Sequence, residues 1–213
     1  MKKLAMIGGT LVGTAIVIAV IFGTLIYLGY SIPNPFTPVP ENKTELSVVP
    51  IITVVGSNGE ETIIDISRLS PLSVVTIGGQ NVIYSVKFSW NLTASATIDA
   101  TSASGTWSES SSETVKKGST VLGTASSNTT NWNLGSTVTL TSFVTLTKAQ
   151  LVALGIGTHT LTASISGTAT VSTTSPETMT GTQTYTSSID VTVVVTASTL
   201  SIIVSPSGSS IVT

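Results

Sequence analysis

The side chains that could do chemistry are few and scattered. The chain has one histidine, His159, and no cysteine. Serine is abundant, so a Ser-His-Asp set is formally available, but no G-x-S-x-G elbow is present to present a nucleophile. Asp65, Asp99 and Asp190 lie far apart with no calcium-loop spacing. Gly78-Gly79 reads as a turn rather than a phosphate cradle. These patterns call for no catalytic residue, metal ligand or cofactor. Asparagine offers a different chemistry. Asn42-Lys43-Thr44, Asn91-Leu92-Thr93 and Asn128-Thr129-Thr130 are glycan acceptor triplets, which function only on exposed surfaces of exported chains.

Composition narrows the class. Of 213 residues only 8% are charged, and the net charge is −2. No basic face exists for nucleic acid. Ser and Thr make up about a third of the chain, yet 41% is hydrophobic, too much for a disordered polar tract. Without cysteines, core burial and strand pairing must supply stability. Few charges and many hydroxyls suit an external setting, including an acidic one, because such a fold depends little on ion pairs.

Export is expected from the N-terminus. Lys2 and Lys3 precede an apolar stretch from Leu4 to Tyr30, longer than the roughly 20 residues that span a bilayer. The positive end stays inside, so everything after Tyr30 is external. Residues 1–30 are either a cleaved signal or a retained anchor. Gly9 and Gly13 have the G-x-x-x-G spacing of packed membrane helices, although glycine is common in such helices anyway. Residues 31–44 form a linker stiffened by Pro33, Pro35, Pro38 and Pro40.

Residues 45–213 read as an all-β, immunoglobulin-like sandwich. Gly157 to Val171 sets the pattern: Leu161, Ala163, Ile165, Ala169 and Val171 alternate with hydroxyl residues. Lys148 to Gly155, a short helical stretch with a glycine stop, leads into it as a corner between sheets. His159 sits where such sandwiches place a side chain that bonds back to the corner backbone. Val82, Tyr84, Val86, Phe88, Trp90 and Leu92 share one face of another strand, with Trp90 in the core. Thr182 to Thr196 and Thr199 to Val204 are further strands, whereas Thr101 to Asn133 shows little regularity. Ser126 to Asn133 reads as a polar loop carrying Asn128, and Lys116-Lys117-Gly118 as a turn at a sheet edge.

Glu45 to Val55 is almost continuously apolar, with Leu46, Val48, Val49, Ile51, Ile52, Val54 and Val55 around Pro50. Proline favours an edge position or a split into two short strands. The segment is either the first strand of the home sheet or a strand donated to a neighbour. The C-terminal strand could equally finish the home sheet or reach a partner.

Together, the apolar N-terminus, the Pro-rich linker, the apolar strand, the Thr/Ser/Val-rich sandwich, the sequons and the absence of cysteine resemble archaeal cell-surface filament subunits. The nearest type is the thread and bundling-pilus kind, in which a strand from one subunit completes the sandwich of the next. The resemblance implies a glycosylated structural homopolymer with no catalytic residues. It departs at the N-terminus, where no clear cleavage site would release a donor strand. A type IV pilin also begins with an apolar helix, but the prolines after Tyr30 fit it less well. A second reading is a membrane-anchored monomeric surface, adhesion or envelope-associated module, and a third, with the least support in the residues, is a secreted hydrolase.

Overall fold

The computed structural model describes residues 42–69, 75–79 and 83–212. The expected signal or anchor helix, Gly9, Gly13 and the prolines of the linker lie outside these residues. By its internal contacts the chain divides into Met1–Pro40 and Glu41–Thr213. Among the described residues, no helix is long and apolar enough to cross a membrane.

The second unit is all-β, with two antiparallel sheets sharing one core. The first sheet pairs β2 (Glu61–Asp65), β1 (Lys43–Gly56) and β4 (Ile83–Ile98) in that order. The far edge of β4 is shared by three short strands: β5 (Thr101–Ser102), β8 (Thr137–Thr139) and β9 (Val144–Thr147). The second sheet runs β3 (Val75–Gly79), β12 (Leu200–Val212), β11 (Thr180–Val195), β10 (Gly157–Ser175), β6 (Ser104–Lys117) and β7 (Thr120–Asn133).

A short helix, α1 (Lys148–Val152), joins β9 of the first sheet to β10 of the second. Thr147 and Gln150 form a capping box at its start. Gly155 ends the corner at φ +88°, a conformation that a side chain would strain. The alternation of β10 becomes burial: Leu161, Ala163, Ile165, Ala169 and Val171 are all in the core.

Several expectations need correction. First, β1 is not split at Pro50. Pro50 lies opposite Trp90 on β4, while β2 pairs only with Ile51 to Val55. Among the described residues, Pro50 therefore has a ladder neighbour on one side alone, a setting that tolerates its missing N–H. Second, Tyr84 leaves the core face and is 64% exposed. The register shifts where Val55 pairs with Ser85 but Gly56 with Ile83, so Tyr84 is the extra residue of a bulge. Third, Gly78 and Gly79 are not a turn; they pair with Ser201 and Leu200 as part of β3. Fourth, Thr101 to Asn133 is mostly one long hairpin, β6 and β7, turning at Gly118. Its regularity was hidden because the inward positions of β6 include Glu109, Ser111 and Glu113. β12 also runs beyond Val204 to Val212, through Pro206 and Gly208.

Candidate functional site

The assembly site expected from the sequence is β1 and the groove that holds it. Alternation along β1 sends Leu46, Val48, Ile52 and Val54 into the core. Directly opposite on β4 stand Ala94, Leu92, Phe88 and Val86. Val49, Ile51 and Val55 take the other face and are half-buried. The seven donor-strand candidates thus divide between a core face and an outer face. Beside them Ile63 of β2 is 65% exposed, and Lys87 of β4 lies 4.0 Å over the Phe143 ring.

β1 also reaches the second sheet. Gln183 of β11 donates from Nε2 to the Thr44 carbonyl at 3.0 Å and to Thr44 Oγ1 at 2.8 Å. This contact joins the start of β1 to a specific row of the opposite sheet, and so opposes a slip in strand register. Gln183 Oε1 is buried with no hydrogen-bond partner among the described residues. Gln183, Thr44, Leu46 and Thr93 line a cleft of about 430 Å³ on this flank.

The three sequons sit in different settings. Asn128 is exposed on β7, the edge strand, and not in a loop; Thr130, two residues on, is exposed as well. Two-residue spacing on a strand sends both members of this triplet outward. Asn91 is half-buried in the middle of β4, and its Oδ1 accepts from Thr139 Oγ1 at 2.6 Å. It lines a recess of about 550 Å³ with Ile51, Asp65, Arg68 and Leu69. Asn42 is exposed, and its Oδ1 accepts the Asp99 backbone N–H at 3.2 Å. Asn42 and Asn128 are thus exposed, and Asn91 is not.

The residues that raised catalytic or metal readings are not brought together. A ring nitrogen of His159, Nε2, bonds to the Gly155 carbonyl at 2.8 Å, tying the strand start to the corner. Asp65 caps the short 3-10 turn after β2 by accepting from Ser67, and pairs with Arg68. Asp190 accepts from Thr162 across β10 and β11. Asp99 sits in the β4–β5 turn at φ +49°. Among the described residues no cluster of three His, Cys, Asp or Glu side chains could hold a metal ion.

One polar cluster was not anticipated. Glu109 and Glu113 of β6 point inward and are 3% and 0% exposed. Glu109 accepts from Tyr185 Oη and from Thr129 Oγ1, each at 2.7 Å. Glu113 accepts from Ser111 Oγ at 3.0 Å and from Ser142 Oγ at 3.5 Å. Burial pushes the Glu113 carboxyl above its ordinary value, and the charge of Glu109 adds to the effect. Burial and the Glu109 carboxylate likewise raise the Tyr185 hydroxyl, which stays a donor. The sequence carried one signal for this cluster: two acids at inward parity on a strand that ends its inward row with Val115.

Comparison of the chain with protein-family models, with curated proteins and with solved structures finds no match.

Proposed function

We propose that the chain is a structural subunit of an extracellular, archaeal thread- or pilus-like filament. In this reading an N-terminal apolar helix directs export, and a proline linker leads to an immunoglobulin-like sandwich carrying N-linked glycans. Subunits join head to tail when β1 of one enters the β4 groove of the next. Such a contact does not close on itself, so it propagates as a fibre. The protein has no catalytic role.

One observation carries the proposal. β1 is the first described strand, it pairs with β4 along its whole length, and it fills the core with four aliphatic side chains. An identical strand from another copy would make the same hydrogen bonds and the same contacts. Burying each of those side chains contributes roughly 1.5–3 kcal/mol. Together they approach a typical domain's whole stability of about 5–15 kcal/mol. The groove therefore does not stay empty; strand donation works as an exchange of one filled groove for another.

The pairing of β1 with its own β4 favours a second reading, a self-complete surface module anchored by its N-terminal helix. Protein recovered from its native cell surface separates the two. The filament reading expects thin fibres under negative stain, a mature chain lacking the apolar segment, and a glycan mass on the Asn128 peptide. Membrane-bound monomers that keep Met1 to Tyr30 would overturn it.

A further inference from the structure

We propose that the buried Glu109–Tyr185–Ser111–Glu113 network is a proton-binding site that couples the stability of the sandwich to the acidity of its surroundings. The network lies on the inner face of the second sheet. Glu109, Ser111 and Glu113 come from β6, Thr129 from β7 and Tyr185 from β11, while Ser142 reaches in from the segment between β8 and β9. Gly167 of β10 leaves the space beneath the Tyr185 ring.

Tyr185 and Thr129 donate to Glu109, and Ser111 and Ser142 to Glu113, all through hydroxyls. Hydroxyl donors stabilise one negative charge well, but two buried carboxylates in one interior need a counter-charge or a proton. Among the described residues, the hydroxyls of Ser111 and Ser142 donate to Glu113, and the charge raising its carboxyl is that of Glu109. The groups acting on Tyr185 are Glu109, Glu113 and Ser111. The nearest lysines along the strand face elsewhere. Lys116 is exposed, and Lys117 donates to the Leu154 carbonyl. β10 presents Ile165, Gly167 and Ala169 to this region, none of them titratable. Ser127, opposite Ser111 on β7, adds a buried hydroxyl with no hydrogen-bond partner among the described residues.

The division of roles follows. Glu109 has a short hydroxyl bond on each oxygen. Glu113 has only a longer pair and total burial, so it takes the proton. The folded chain then holds that proton more tightly than the unfolded chain does, and protonation favours the fold. The contribution is fully present below the carboxyl's ordinary value of 4.5 and is lost as pH rises through its elevated folded value. A sandwich so built gains stability where most proteins lose it, which suits an acidic exterior.

The test compares full-length wild-type protein with Glu113→Gln, which keeps the shape and removes the titration. Thermal unfolding midpoints are followed from about pH 3 to about pH 8. The wild-type midpoint is expected to gain on the variant by about 5 °C as pH falls across this range. At neutral pH the variant is expected to be the more stable. A difference between the two that does not change with pH would overturn the proposal. Carboxyl carbon resonances of Glu113 in the wild-type protein provide a second readout that does not depend on the variant folding. Titration above 4.5 supports the site, and titration at or below it contradicts it.

Discussion

Trp90→Ala is expected to cost about 3–5 kcal/mol, a large share of a typical domain's stability of about 5–15 kcal/mol. Trp90 is wholly buried in the middle of β4, and its ladder partner is Pro50 of β1. Its indole ring belongs to the core cluster that takes in residues of both sheets. Truncation removes the largest side chain of the groove and leaves a cavity flanked by β1, which cannot move in without breaking register. Its Nε1 has no hydrogen-bond partner among the described residues, so the loss is one of packing. Trp90→Phe should therefore recover most of the stability. Denaturant unfolding of both variants checks this. A loss below about 1 kcal/mol for the alanine variant would show that the groove does not depend on this ring.

Gly167→Ala is the second large effect, and it acts by overfilling. A Cβ at this inward position would lie 2.6 Å from Tyr185 Oη, 2.7 Å from Tyr185 Cζ and 2.6 Å from the Ser110 backbone carbonyl. Real Cβ contacts are not that short, so the Tyr185 ring and strand β6 must both shift. Overpacking of this kind costs about 1–3 kcal/mol, and displacing Tyr185 from Glu109 adds the loss of a charge-assisted bond of about 1.5–3 kcal/mol. The thermal midpoint is expected to fall by about 10 °C. Trimming the ring in Gly167→Ala/Tyr185→Leu should not restore it, because the Ser110 carbonyl remains and Glu109 loses its donor. Full rescue by the double variant would contradict this account of the clash.

The legible and illegible parts of the fold divide along a physical line. Strands whose inward face is apolar announced themselves. Glu45 to Val55, the strand holding Trp90, Gly157 to Val171 and Thr182 to Thr196 all form, and the helical corner does carry the chain from one sheet to the other. The β6–β7 hairpin did not, because period-two reading looks for hydrophobicity. Here the inward row runs Trp107, Glu109, Ser111, Glu113, Val115, and the matching residues of β7 include Ser127 and Thr129. Burial of those groups depends on partners far away in sequence, above all Tyr185 and Ser142. For the same reason Asn128 was placed in a loop rather than on an exposed strand face. Gln183 was missed because its partner, Thr44, is on the first strand. Pro50 misled in the opposite direction: its cost depends on whether the strand is flanked on both sides at that residue, and only the extent of β2 settles that.

The central claim is that β1 of one copy occupies the β4 groove of another. Val49 and Asn91 face each other across β1 and β4, and the chain contains no cysteine. Directly opposed strand positions lie close enough for a disulfide. The measurement is therefore the electrophoretic state, under non-reducing conditions, of oxidised Val49→Cys/Asn91→Cys protein assembled on its native cell surface. Strand donation predicts a ladder of covalent oligomers that collapses to monomer on reduction. Monomers whose two cysteines are joined within one chain would show that β1 serves its own sandwich, and would contradict the filament account.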